Sequence, residues 1–313
     1  MGDDLRIGLV GCGRLAEVGY VPALHAAHGV HLIAVAEPDP ARRARVAALA
    51  GGVPEFPDAA ALLHGVPVDG LVLATPASAH LADARTAAAA GVAVLVEKPP
   101  AADRQQAAEL ATLTPAPWIG FNRRFDPGIE ALRAATPAGA EVGVFLELGY
   151  RRHGWGAHAV TDDALLDLGP HLVDLARWIT RVEVTDIRRA AVSPERAEFD
   201  LTLGAARARI RCATNRLYRE RVEVHHRRGA VLGRHHHGGL LAAVRGRLAP
   251  RPGPHPLVAS LTAQLEAFAR AVHGAPEPTL GRATDGLAVM ATIDAVRACA
   301  AGDGLPVTIG TEG

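Results

Sequence analysis

Lys98 is the single lysine among the 33 Lys and Arg side chains of a 313-residue chain. An ammonium is a compact, rotatable donor whose charge state burial can move, whereas a guanidinium is planar and permanently charged. Lys98 lies in Val94-Leu95-Val96-Glu97-Lys98-Pro99-Pro100, behind an apolar strand-like run and ahead of a proline that biases it to extended backbone. A second set stands in the other half of the chain. Asp167, His171 and Asp174 recur at i, i+4 and i+7 and so share one face of a helix. Histidine titrates nearest neutrality and suits the removal of a hydroxyl proton, and an adjacent carboxylate can set its tautomer. Taken alone, Asp-x-x-x-His reads first as a helix cap or surface acid beside a core histidine.

The elements around Lys98 give it a context. Leu5 to Val10 reads as a buried strand running into Gly11-Cys12-Gly13-Arg14-Leu15-Ala16, a GxGxxA turn. Its first glycine permits the tight turn, its second lets backbone approach a pyrophosphate, and its small third residue lets helix pack on strand. Helix N-terminal amides then face the phosphates. The helix from Arg14 is expected to break at Pro22, with a second short helix to about His28. His31 to Ala36 is the next strand, and Glu37 at its end is placed to accept hydrogen bonds from an adenosine ribose diol. A carboxylate there repels a 2′-phosphate, which favours NAD over NADP, while Arg42 and Arg43 soften that preference. Strands over 69–75, 92–96 and 118–121 alternate with helices over 78–90 and 103–113, the pattern of a doubly wound parallel sheet. Ligands of such sheets lie beyond the carboxyl ends of the strands. Thr75-Pro76, Glu97-Lys98 and Phe121-Asn122 fall there, which puts Lys98 beside a bound nicotinamide.

Four stretches, Gly11-Cys12-Gly13, Thr75-Pro76-Ala77-Ser78-Ala79-His80, Gly91 to Pro99 with Glu97-Lys98-Pro99, and Gly120-Phe121-Asn122-Arg123-Arg124-Phe125, resemble the glucose–fructose oxidoreductase and inositol dehydrogenase family (Gfo/Idh/MocA). The segment from Asp167 to Asp174 resembles the Asp-x-Gly-x-His-x-x-Asp motif of that family. The resemblance implies that Lys98, Asp167 and His171 form the catalytic set: His171 as proton acceptor, Lys98 on the reacting hydroxyl, Asp167 as the group that orients and relays. Asp174 holds the helix or His171. It also implies cofactor contacts from Gly11, Gly13, Arg14, Leu15, Glu37, Thr75, Pro76, His80, Glu97, Lys98, Asn122 and Arg124. A cis Lys98–Pro99 bond, as in relatives, would aim the ammonium into the cleft. Asp162-Asp163 departs from the glycines that often precede the motif, and these acids cap the helix or meet substrate. Trp155 and Asp163, with Lys98, Asp167 and His171, are the expected substrate contacts, and Arg151, Arg152, His153 and His158 lie on the same loop.

The expected fold is α/β, with a Rossmann domain over 1–121 and an α+β domain over 122–313. The second domain carries a largely antiparallel sheet open on one face, and a C-terminal helix packs back on the first domain. Leu165, Leu168, Leu172 and Leu175 form the apolar stripe of the motif helix, in which Pro170 either opens a new helix or kinks a longer one. Short β-like runs over 182–192, 197–203, 206–213 and 219–225 build the sheet, helices over 257–273 and 282–300 follow, and 305–309 is a last strand. The His/Arg-rich segment 225–255, with His235-His236-His237, shows no acid or cysteine at ligand spacing and reads as a solvated loop with no metal.

Net charge is zero and aromatic content is 4%. These values give no electrostatic or stacking footprint for nucleic acid or membrane. Three widely spaced cysteines form neither a zinc set nor a disulfide framework, and no apolar run approaches a membrane span. The expectation is a reduced, cytoplasmic enzyme, homodimeric or homotetrameric through its C-terminal sheet. It would be an NAD-dependent dehydrogenase acting on a ring hydroxyl of a sugar, amino sugar or cyclitol. An NAD(P)H-dependent reductase of a keto-sugar or imine is the competing enzyme, and a non-catalytic nucleotide-sensing or scaffold protein is the alternative of another class.

Overall fold

The computed structural model describes residues 4–155, 162–238, 255–302 and 304–310. The chain forms two compact units, one of residues 1–125 and 254–287, the other of 126–253 and 288–313.

In the first unit, strands β1 (Leu5–Val10), β2 (Val30–Ala36), β3 (Glu55–Phe56), β4 (Gly70–Leu73), β5 (Ala93–Glu97) and β6 (Trp118–Gly120) form a parallel sheet in the order β6-β5-β4-β1-β2-β3. A two-residue strand, Gly281–Arg282, adds antiparallel to the edge of β6. β1, β4 and β5 are nearly continuous buried runs of Leu, Ile and Val, as parallel strands covered on both faces require. The connecting helices α2 (Pro40–Leu49), α3 (Ala59–Gly65) and α5 (Arg104–Ala111) each start on an aspartate, Asp39, Asp58 or Asp103, whose carboxylate accepts from a first-turn N–H. α4 (Ala77–Ala89) instead starts on Pro76, without a side-chain cap. The break expected at Pro22 is absent. The helix widens into a π turn over Ala16–Tyr20, which accommodates Pro22 as the chain continues into α1 (Val21–Ala26). A helix from late in the chain, Pro256–Val272, completes this core. Its Leu261, Leu265 and Phe268 are fully buried in one cluster with Leu5, Ile7, Leu9 and Tyr20, and Phe268 meets Trp118 edge-on.

In the second unit the sheet is formed by β7 (Val142–Arg151), β8 (Asp186–Ser193), β9 (Arg196–Leu203), β10 (Ala206–Ala213), β11 (Asn215–His226) and β12 (Val231–Gly238), with Val307–Thr308 at one edge. The order is β12-β11-β7-β10-β9-β8 followed by that last strand, and only the β7–β10 pair is parallel. Alternation decides the two faces. Val142, Val144, Leu146 and Leu148 on β7 and Ala208, Ile210 and Cys212 on β10 are buried, while Arg209 and Arg211 point outward and pair with Asp200 and Glu198 on β9. The buried face is covered by α8 (Ala164–Thr180), one uninterrupted helix with Pro170 inside it, so Asp167 and His171 do share a helical face. Leu165, Leu168, Leu172 and Leu175 are all buried there.

A second expectation is overturned. Residues 231–238 of the histidine-rich stretch are not a solvated loop but strand β12, paired antiparallel with β11 and carrying a buried His235. The basic composition concealed a strand whose alternate side chains face a helix, α6 (Pro127–Ala135). Pro250 to Pro254 of that stretch lies outside the described residues.

Because Leu265 fills the first unit's core from a helix more than 250 residues from β1, Leu265→Ala is expected to cost about 2–5 kcal/mol in denaturant unfolding. A loss below 0.5 kcal/mol would show that this helix is not part of the core.

Candidate functional site

The carboxyl ends of β1, β4 and β5 carry the polar groups of the first unit. Gly11 has φ of +96°, and a Cβ there would sit 2.6 Å from the Ala74 carbonyl, so only glycine makes this turn. Gly13 is the opposite case. A Cβ on it would meet nothing within 4 Å, which leaves the open backbone a pyrophosphate needs. The Cys12 N–H donates to Glu37 Oε2 at 3.0 Å, and Arg42 reaches Glu37 Oε1 at 2.8 Å. Arg43 donates to the Glu37 carbonyl. Glu37 is therefore fixed at the glycine turn, where a ribose diol would meet it. Cys12 is buried, and burial with the Glu37 charge pushes its thiol up to about 12, so it is no nucleophile. Arg14 pairs with Glu17, and Leu15 next to it is half-buried.

Lys98 follows β5 directly, and its peptide bond to Pro99 is cis. The Glu97 carboxylate before it is fully buried and takes Tyr20 Oη at 2.6 Å on one oxygen and the Lys98 N–H at 2.9 Å on the other. Burial holds this carboxyl above its usual range, against the pull of the Lys98 ammonium and Tyr20. His80, buried on α4, donates from Nδ1 to the Pro99 carbonyl at 3.1 Å. Thr75 Oγ1 donates to Asp83 at 3.2 Å. Two expected cofactor residues have structural partners. Asn122 donates to Ser260 at 3.0 Å, and the buried Arg124 lies over Phe121 and pairs with Asp285 at 3.2 Å.

In the second unit Asp167 is held from β7 and from the short helix α7 (Arg152–Trp155). Tyr150 Oη donates to Asp167 Oδ2 at 2.5 Å and Arg152 Nη2 at 2.9 Å. Burial first, then the Asp167 charge, raises the Tyr150 phenol, so it stays a donor. His171, one turn along α8, is buried, as is Asp174, which lies 3.9 Å from Arg177. Asp163 is the N-cap of α8, accepting from the Leu166 N–H at 2.8 Å, and its other oxygen takes Arg297 at 3.0 Å. Of the two roles open to it, the structure shows the cap. Trp155 ends its helix with its side chain outside the described part, and His158 lies outside the described residues. Tyr20 and Tyr150 were not among the expected site residues. The only trace of them in the sequence is that tyrosine occurs three times in the whole chain.

Residues 5–116 match the model of an oxidoreductase family with an NAD-binding Rossmann fold, Gfo/Idh/MocA. A rhizopine catabolism protein, MocA, of Rhizobium meliloti is 32% identical over 196 residues, covering 59% of this chain and 60% of that protein. Over these residues the chain is similar to members of the Gfo/Idh/MocA family. An inositol 2-dehydrogenase of Acidothermus cellulolyticus is also 32% identical, over 60% of this chain and 57% of its own length. The chain thus spans about three fifths of the curated family members it matches. Among solved structures the fold resembles myo-inositol 2-dehydrogenase from Lactobacillus plantarum, with a TM-score of 0.80, 17% identity and coverage of 98% and 99%. It also resembles scyllo-inositol dehydrogenase from Lactobacillus casei with bound NAD(H) and scyllo-inositol, with a TM-score of 0.77, 18% identity and coverage of 97% and 99%. The first unit, which contains residues 5–116, accordingly matches an NAD-binding Rossmann fold. No helix among the described residues is long and apolar enough to cross a membrane.

Burial lowers the His80 imidazole to about 4, from an ordinary value of 6.5. The unfolded chain then binds the proton that the folded one refuses, so His80 costs stability as pH falls from about 6.5 to 4 and costs nothing above that range. The full span corresponds to about 3 kcal/mol. Urea unfolding of the NAD-free protein at pH 7.5 and pH 5 checks this. The wild type should lose more stability between those pH values than His80→Gln does, and equal losses would contradict the buried neutral imidazole.

Proposed function

We propose that this protein is an NAD-dependent dehydrogenase that oxidises a ring hydroxyl of a polyol, a cyclitol being the leading class, with Lys98, Asp167 and His171 as its reacting groups. The observation that carries the reading is the place of Lys98. It stands at the carboxyl end of a central strand of an NAD-binding Rossmann domain, with the residues on both sides of it tied to Tyr20 and His80. When bound, NAD supplies the acceptor for the hydride of the carbinol carbon. The Lys98 ammonium donates a hydrogen bond to the reacting oxygen and favours its negative charge as the bond to hydrogen breaks. His171 takes the hydroxyl proton at an imidazole nitrogen. Asp167, held by Tyr150 and Arg152, orients the substrate or stabilises the imidazolium. The inositol dehydrogenases among the relatives favour cyclitols over sugars and amino sugars. Three free, buried cysteines suit a reducing cytoplasmic compartment. Leu217 and Val231, exposed on β11 and β12 of the second sheet, suit a homodimer or homotetramer.

One observation favours a second reading, in which the enzyme works as a reductase with NADPH. Arg42 already pairs with Glu37, so the carboxylate that would repel a 2′-phosphate is partly neutralised. The ratio of kcat/KM for NAD⁺ to that for NADP⁺ separates the two. A ratio of at least about 10, narrowed in Glu37→Ser, is expected, and NADPH preference without NAD⁺ binding would overturn the oxidative reading.

The chemistry is tested by NADH formation over a panel of inositols, sugars and amino sugars. Lys98→Ala and His171→Ala should each lower kcat by about 10²–10⁴ on the substrate found. Turnover unchanged in both variants would end the catalytic assignment, and a protein that binds NAD⁺ but oxidises nothing on the panel would favour a sensing role.

A further inference from the structure

The second unit gathers a set of metal-ligand side chains that the proposed reaction does not use. On β12, residues 233, 235 and 237 alternate onto the face that meets α6, and glycines make the fit. A Cβ at Gly233 would come within 2.5 Å of Leu132, and one at Gly128 within 2.2 Å of His235 Nδ1. The buried His235 therefore reaches the first turn of α6, where Asp126 is the N-cap. His235 Nδ1 lies 3.5 Å from Asp126 Oδ1 and His237 Nε2 lies 3.2 Å from Asp126 Oδ2. One ligand atom from each of the three residues falls within 4.8 Å of the others, and the two imidazoles pack edge to face with centroids 4.5 Å apart. Asp126, absent from the histidine-rich stretch, is the acid partner that spacing along the chain could not reveal.

We propose that Asp126, His235 and His237 bind a divalent transition ion of the zinc class. The two imidazoles face different oxygens of Asp126, at 3.5 Å from Oδ1 and 3.2 Å from Oδ2. Both distances are close to the roughly 3.4 Å that tetrahedral bonds of about 2.0–2.1 Å put between neighbouring ligand atoms. Two imidazoles and one carboxylate select zinc and its neighbours over magnesium or calcium, which require oxygen shells. Asp126 Oδ1 also accepts the Gly128 N–H at 2.8 Å, so one oxygen can keep the helix cap while the other ligates. His235 forms the buried floor, and the partly exposed Asp126 and His237 leave the fourth position to water.

The carboxylate on the opposite face of the same strands behaves differently. Glu223 is also near two histidines, His225 and His236, but Arg221 bonds it at 2.7 Å and holds its carboxyl down to about 2. Among the described residues no arginine pairs with Asp126, so a cation is free to take that place. The bound ion would join the sheet's outermost strand to the start of α6 and so protect an open edge.

The test is calorimetric titration of the full-length protein, its affinity tag removed, with ZnCl₂, alongside His237→Gln and Asp126→Asn. Asparagine keeps the helix cap and removes the charge, and circular dichroism checks that both variants fold. One saturable zinc per chain is expected, raising the thermal midpoint, with affinity at least tenfold weaker in each variant. No saturable binding, or binding equally tight in either variant, would overturn the three-ligand site.

Discussion

A buried carboxylate, that of Glu97, ends a central strand of the first unit, and the surrounding elements are arranged to satisfy it. Glu97 ends β5 in full burial, where an ion without partners costs several kcal/mol. Tyr20 answers it from the widened helix after the glycine turn, and the Lys98 N–H answers it from the next residue. His80 then holds the Pro99 carbonyl from α4. Three consecutive residues at one strand end are thereby tied to two different helices. The backbone of the lysine is thereby held in place, a condition for aiming a single ammonium repeatedly at one atom.

The second unit repeats the device with other residues. Tyr150 donates to Asp167 as Tyr20 does to Glu97, and in each case the phenol is raised and stays a donor. The third tyrosine, Tyr218, also bonds a carboxylate, that of Glu220. A chain so poor in aromatic rings spends all its tyrosines on fixing acids, two of them adjoining the proposed reacting groups. That use fits a phenol well, since it places a donor on a rigid apolar body with few rotamers to lose.

Much of this was legible in the chain. The Leu5–Val10 strand, the Gly11 turn and Glu37 read directly because backbone conformation and short-range chemistry dictate residue type there. So did the leucine stripe of α8, whose period is that of its own helix. Tyr20 and Tyr150 were not legible, because their partners lie 77 and 17 residues away and no spacing rule links them. The histidine-rich strand misled for a related reason. Its alternation faces a helix start more than 100 residues earlier, so polarity suggested solvent where packing supplied Asp126 and Leu132. Pro22 misled differently, since a π turn accommodates a proline that a regular helix interior would not.

The central claim is that Lys98 and His171 act on one reacting oxygen. A double-mutant cycle in kcat/KM, with Lys98→Ala, His171→Ala and both together on the preferred cyclitol, measures this directly. Groups that work as a unit give strongly non-additive losses, so the double variant should be little slower than the worse single one. Losses that multiply would show that the two residues act independently and would contradict the proposed reaction.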